Sequence, residues 1–238
     1  MVHGLMYSSL HRICWVIRMQ LPKRKIWPTA KLISTEMLAN LVMFSGAFVG
    51  LIFLIRPAIR KYKKLDLAIM DRIGPPVNDR NTRLMRRITF FGTHQFFIPA
   101  NLWLIAYFIF VRRKSWYSIR IASVALSSLA IMLVLKEIFN RKRPDNPLQQ
   151  ALGKSFPSGH ALMSVTFYGL LLYIIHKTVH NVPLRWTLTI PLVGFVQLIG
   201  LSRIYLRNHY PSDIVAGNVT GLLWLIISLR LMDKIEAT

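Results

Sequence analysis

The chain has 238 residues, of which 31 are Lys or Arg and 9 are Asp or Glu, so the formal charge is +22 while 53% of residues are hydrophobic; mean hydropathy is +0.41. High hydrophobicity joined to high positive charge excludes an ordinary soluble domain, whose charges are more nearly balanced, and excludes disorder, which requires low apolar content. The single cysteine, Cys14, leaves no intrachain disulfide and no cysteine-based zinc site, and nucleic-acid binding would account for the charge but not for the hydrophobicity.

A membrane-crossing helix needs about 20 mostly apolar residues, so the charged residues mark where spans begin and end. Residues 1–35 form a basic N-terminal tail. It is interrupted by Arg12 and Arg18 and lacks the clean apolar stretch and small-residue cleavage site of a signal peptide. Residues 36–238 read as one six-span domain, with spans at about 37–55, 92–111, 120–140, 159–176, 186–203 and 213–230. The expected fold class is all-α, a polytopic bundle of six transmembrane helices. Between the first and second spans, Leu65, Leu67, Ile69 and Met70 among basic residues suggest an interfacial helical segment; a solvated basic loop is the plainer alternative. Several spans are short for a perpendicular crossing, as expected of helices that end at a polar site near one membrane face. Lys and Arg divide too evenly between the two sides for the positive-inside rule to set the orientation. With six spans, the loops after the first, third and fifth share a face, and the last two of these carry the chemistry.

Around the third of these spans the chain reads Lys136-Glu-Ile-Phe-Asn-Arg-Lys-Arg143-Pro144, and Phe156-Pro157-Ser158-Gly159-His160 opens the fourth. Seven residues are close to two helical turns, so Lys136 and Arg143 are expected on nearly one face, with the helix ending about Arg143 because Pro144 disfavours helix there. Arg is a planar fork and Lys a mobile point charge, and together they suit phosphate. Pro157, Ser158 and Gly159 look like a helix start, where free N–H groups and the dipole attract an anion. Basic residues ending a span can also be plain interfacial anchors. Lys136, however, lies several residues inside the apolar stretch, where a charge is costly and needs a partner. The loop after the fifth span reads Ser202-Arg203-Ile-Tyr-Leu-Arg-Asn-His209-Tyr-Pro-Ser-Asp213. Asp213 is close enough to accept the His209 Nδ1 proton and leave Nε2 free as a nucleophile, with His160 as proton donor. Asp213 could instead simply complement a helix N-terminus.

Lys136-x6-Arg143-Pro144, Pro157-Ser158-Gly159-His160 and Ser202-Arg203-x5-His209-x3-Asp213 together resemble the three-part signature of the type 2 phosphatidic acid phosphatase superfamily, in order and without substitution. The resemblance implies an integral membrane lipid phosphatase working through a phosphohistidine. In such an enzyme His209 attacks phosphorus, Asp213 orients it, and His160 protonates the leaving group. Lys136, Arg143, Ser158, Gly159 and Arg203 hold the phosphate. It also implies an active site on the outer face of the plasma membrane. No cofactor or metal is expected, since the nine acidic residues do not cluster. The substrates implied are phosphatidic acid, phosphatidylglycerol phosphate, undecaprenyl pyrophosphate or the phosphates of lipid A, with anionic lipids as further partners. His94, Gln95 and Asn101 are candidates to read a headgroup, or are ordinary residues of a span boundary. A non-catalytic phospholipid-binding relative would be expected to lose His209 or His160. A vanadate-dependent haloperoxidase, the other alternative, would be soluble.

Overall fold

The computed structural model describes residues 63–73 and 77–237. The basic tail and the expected span at 37–55 lie outside the described residues. Regular structure among the described residues is helical throughout: α1 (Lys63–Ile73), α2 (Asp79–Phe90), α3 (His94–Ala106) with a π-helical continuation (Tyr107–Val111), α4 (Ser115–Phe139), α5 (Gly159–Thr178), α6 (Val182–Tyr205) and α7 (Pro211–Ala237). Among the described residues, five helical stretches are long and apolar enough to cross a membrane: Asp79–Val111, Ser115–Phe139, Gly159–Thr178, Val182–Tyr205 and Pro211–Glu236. Their outward faces carry Leu126, Leu133, Trp186, Ile190 and Leu222, all exposed, while Ser128, Ser164 and Thr166 are buried between helices. That arrangement suits hydrocarbon as the surrounding solvent.

The helices outrun the apolar windows that suggested short spans, because polar residues continue them at their ends. Asn181 accepts the Leu184 N–H at 2.9 Å and starts α6 ahead of its apolar run. At the far end of the bundle, buried Arg120 of α4 holds Asp233 and Glu236 of α7, each at 2.6 Å, and donates to the Tyr173 hydroxyl of α5. These bonds carry α7 past its last apolar turn.

Among the described residues, the segment suspected of lying at the interface contains α1 and then runs into α2, which is part of the Asp79–Val111 stretch. Of the apolar residues that drew attention to it, Met70 is buried with Ala161, Ile204, Tyr210 and Ile214, whereas Leu65 and Leu67 are exposed. Asp66 lies one turn before Met70 and is also buried, so α1 docks through a single mixed stripe. The turn from α2 to α3 is held by the Tyr168 hydroxyl, which donates to the Phe91 carbonyl at 3.0 Å. Phe90, Phe91, Phe96, Phe97, Phe167 and Phe195 pack around it, mostly edge to face, with Phe96 stacked on the Tyr168 ring.

α5 and α7 meet most closely where α7 has no side chains. A Cβ on Gly217 would stand 2.7 Å from the Ser158 carbonyl oxygen and 2.9 Å from the Ala161 Cβ, and one on Gly221 would stand 2.8 Å from the Leu162 carbonyl oxygen. Two glycines one turn apart let the backbones approach, the small-residue packing used by membrane helices. The contact sets the start of α7 against the start of α5. Gly217→Ala should therefore lower the thermal unfolding midpoint in detergent, with a cost of about 1–3 kcal/mol, because a backbone carbonyl cannot move aside as a side chain would. Gly194→Ala is the control, since nothing lies within 4 Å of a Cβ there, and its midpoint should be unchanged or higher.

Candidate active site

Four helix ends converge above the α5/α7 contact, each shaped by its local sequence. α4 stops at Phe139, four residues before the end expected from Pro144. Asn140 takes a left-handed conformation (φ 46°) and its N–H closes on the Lys136 carbonyl. Lys136 is thus on the last helical turn while Arg143 lies in the following loop, and their common destination is set by that loop rather than by helical spacing. The loop is fastened by the Ser155 N–H to the Arg141 carbonyl (2.8 Å), the Leu148 N–H to the Leu206 carbonyl (3.0 Å) and the Ser158 N–H to the Asp213 carbonyl (3.0 Å).

α5 opens on Ser158, whose hydroxyl accepts the Ala161 N–H, as the helix-start reading anticipates. α6 closes with the Asn208 N–H on the Arg203 carbonyl and the Arg207 N–H on the Ile204 carbonyl. Arg207 is left-handed at φ 54°. This is a Schellman ending with arginine in place of glycine, and it turns the chain so that His209 points back into the bundle. Asp213 follows in the first turn of α7.

A cavity of about 530 Å³ is lined at one end by Lys136, Arg143, Gly159, His160 and His209. From there it continues between α3 and α4 past Phe97, Ile98, Leu102 and Ile105 on one side and Met132, Leu129, Leu126 and Ala122 on the other. The ten residue steps from Met132 to Ala122 correspond to a cleft about 15 Å long. His94 and Asn101 also line it. Asn101 donates one amide N–H to the Phe97 carbonyl at 2.7 Å, which leaves its oxygen and its second N–H available to a ligand. Gln95 is not among the lining residues.

Arg143 donates Nε to the Gly153 carbonyl (3.0 Å), Nη2 to the Leu152 carbonyl (3.0 Å), and Nη1 to the Asn208 carbonyl (2.8 Å) and to His209 Nε2 (3.2 Å). An arginine can only donate, so Nε2 is the acceptor and the imidazole proton resides on Nδ1. Nδ1 faces Asp213 Oδ2 at 3.5 Å, an ion-pair distance longer than a good hydrogen bond. Burial pushes the His209 imidazole down to about 4; Asp213 opposes this, and Arg143 and Arg203 add to it. Burial likewise lowers the Arg143 guanidinium from its ordinary value, with Asp213 pulling the other way. Lys136 Nζ donates to the Lys154 carbonyl at 2.7 Å.

Three of the residues singled out in the sequence lie behind the cavity wall rather than on it. Arg203, buried, donates Nη1 to Thr89 Oγ1 at 3.0 Å. With the Asn208 amide in the orientation that satisfies both its ends, Arg203 Nη2 also reaches its oxygen at 2.9 Å. Ser158 is fully buried and Asp213 likewise. Asp213 Oδ1 accepts Arg141 Nη1 at 2.6 Å, and Oδ2 accepts the Tyr210 N–H at 2.9 Å and the Ser155 hydroxyl. Ser155, Arg141 and Asp66 are site residues that sequence reasoning passed over. Arg141 sits in the same basic run as Arg143 but lacks the seven-residue spacing from Lys136 and the following proline that single out Arg143. Asp66 is one of several carboxylates within a basic segment, and nothing in the sequence marks it out.

Comparison with known proteins bears on this geometry directly. The model of the PAP2 superfamily matches residues 116–237, a stretch that takes in the whole of the charged end of the cavity. Phosphatidylglycerophosphatase B of Bacillus subtilis is 30% identical over 155 residues, covering 64% of this chain and 76% of the relative. Decaprenylphosphoryl-5-phosphoribose phosphatase of Mycobacterium tuberculosis is 32% identical over 165 residues, covering 66% and 84%. The crystal structure of a transmembrane PAP2 type phosphatidylglycerolphosphate phosphatase from Bacillus subtilis superposes with a TM-score of 0.71 at 26% identity, over 79% of this chain and 96% of that one. A shared helical frame and a match that contains both histidines and all three candidate phosphate-binding cations lead to one conclusion: the chain belongs to the PAP2 superfamily.

Proposed function

We propose that the chain is a multi-pass membrane phosphatase that hydrolyses the phosphate of a membrane lipid through a phosphohistidine on His209. The observation that carries this is the shape of the cavity, which has two histidines and two cations at one end and an apolar cleft between α3 and α4 leading away from them. A lipid phosphate has the same two parts. The names of the relatives, a phosphatidylglycerophosphatase and a decaprenylphosphoryl-phosphoribose phosphatase, support a lipid-linked phosphate as substrate. Phosphatidic acid, phosphatidylglycerol phosphate, undecaprenyl pyrophosphate and lipid A phosphates are the candidates. Six spans, the first at 37–55 after a basic tail at 1–35, an outward-facing site, and anionic lipids around the basic segment ahead of the second span complete the reading.

In the proposed reaction Arg143 and Lys136 grip the phosphoryl oxygens beside the Gly159 amide, while Arg203 adds positive potential from behind and Ser158 fixes the start of α5. His209 Nε2 attacks phosphorus, the bond from phosphorus to the lipid oxygen breaks, and His160 gives that oxygen a proton. Asp213 holds the Nδ1 proton and offsets the charge that builds on the ring. Water, losing a proton to His160, then attacks the phosphohistidine and frees inorganic phosphate. Charge spread over the equatorial oxygens is met by fixed cations throughout, which is the main demand of phosphoryl transfer. The cations of the chain itself are assigned that task.

The decisive experiment is phosphate release from a panel of the four lipid classes in detergent. His209→Ala should abolish both turnover and trapping of phosphoenzyme, and Asp213→Asn should lower kcat by roughly a hundredfold or more by misorienting the imidazole. Activity retained in His209→Ala would remove the nucleophile from the scheme. The pH dependence should be bell-shaped, with an acid limb displaced from the ordinary histidine value. Burial lowers the His209 pKa from 6.5 to about 4, so the neutral, attacking form persists as pH falls through 6.5 and is lost only near 4. An acid limb of kcat/KM centred at 6.5 contradicts this. Ala125 also lines the cleft, and Ala125→Trp should fill it and raise KM for a long-chain lipid phosphate about tenfold, the equivalent of two methylene contacts, while KM for p-nitrophenyl phosphate stays unchanged. Equal effects on both substrates would move the lipid chain out of the cleft.

A further inference from the structure

Asp66 belongs to α1, outside the stretch matched to the family, and no step above uses it. It is nevertheless 3% exposed, and its carboxylate is fully engaged. Oδ1 accepts the Ser212 N–H at 3.0 Å; Oδ2 accepts the Ser212 hydroxyl at 2.6 Å and Arg141 Nη2 at 2.7 Å. Arg141 spends its other prong, Nη1, on Asp213 Oδ1 at 2.6 Å and on Ser212 Oγ at 2.8 Å. Its guanidinium carbon lies 4.0 Å from the centre of the Tyr210 ring. The far oxygen of Asp213 is the one that faces His209.

We propose that Asp66, acting through Arg141, is a positioning residue for the nucleophile: one guanidinium bridging two buried carboxylates keeps Asp213 oriented toward His209 with its negative charge still available to the imidazole. The proposal rests on His209 being the nucleophile. The geometric reason is that an arginine facing a lone carboxylate tends to bind it through both oxygens. Asp66 occupies the second prong, so Arg141 takes Oδ1 alone and Oδ2 remains with Ser155, the Tyr210 N–H and His209. The electrostatic reason is the charge of the set. Asp66, Arg141 and Asp213 sum to one negative charge, which favours the positive charge developing on His209 as Nε2 attacks; without Asp66 the remaining pair is neutral. The competing account is that Asp66 only docks α1 on the start of α7, where its contact with the Ser212 N–H is a helix N-terminal cap. That role would move stability and leave turnover alone.

The test uses the full-length protein in detergent with the best substrate of the lipid panel. Neither Asp66 nor Arg141 lines the cavity, so Asp66→Asn should lower kcat roughly tenfold while KM stays within about twofold, the effect of one charge removed behind the nucleophile. Arg141→Lys, a point charge that cannot bridge two carboxylates, should lose at least as much. Asp66→Glu should restore most of kcat. In an Asp213→Asn background, adding Asp66→Asn should change kcat by less than about twofold, since the group it acts through is already neutral. Unchanged kcat in Asp66→Asn, or an equal loss in both backgrounds, overturns the proposal. Should Asp66→Asn fail to fold, Arg141→Lys decides by the same comparison, and a change confined to KM or to the melting midpoint overturns it. A wild-type protein inactive on every lipid, or an active His209→Ala, would instead remove the phosphatase reading itself.

Discussion

A carboxylate with no access to solvent imposes the central constraint on this molecule. Asp213 is fully buried, and an ionised group in that position must be surrounded by donors or its burial is prohibitive. Its donors come from separate stretches of chain: Ser155 and Arg141 from the loop after α4, and the Tyr210 N–H from the turn before α7. Satisfying one side chain therefore ties the α4–α5 loop to the start of α7, and the same ties bring Arg143 to 3.2 Å from His209. The order of the site follows from the need to solvate a charge without water.

The helical frame makes such an arrangement sustainable at a membrane. Gly217 and Gly221 let α7 lie against the α5 backbone, so the two helix starts that carry Asp213 and His160 cannot drift apart. At the other end, Arg120 joins α4, α5 and α7 through Tyr173, Asp233 and Glu236. Between these two polar clamps the helices present leucine and isoleucine outward. The cleft between α3 and α4 is where the bundle leaves room, and it opens onto the cations rather than away from them. A lipid phosphatase needs both a dry slot for a chain and a charged end for an anion, and here one cavity supplies both.

Several of the contacts that matter lie in positions where an isolated residue would look ordinary. Arg141 and Arg143 are two apart in a basic run, yet one is committed to carboxylates behind the nucleophile while the other faces the attacking nitrogen. Arg203 is close to the histidine in sequence but stands behind the wall, held by Thr89. Thr89 comes from α2, in the segment that composition marks only as basic.

What the residues determined unaided is the kind of molecule and the kind of chemistry. Hydrophobic runs bounded by charges identify membrane helices because the cost of burying a charge in hydrocarbon is large. Lys136, Arg143, Ser158, Gly159, His160, Arg203, His209 and Asp213 stand out because their residue types suit a tetrahedral anion and recur in a known order. The tertiary structure decided what depends on contacts distant in sequence. It ended α4 at Asn140 rather than near Pro144, because a left-handed cap closed the helix first. It sorted the cations into those on the cavity wall and those behind it, and it enlisted Asp66 from α1. Local spacing encodes which side chains are available; only the packing of helices far apart in the chain sets which oxygen each nitrogen meets.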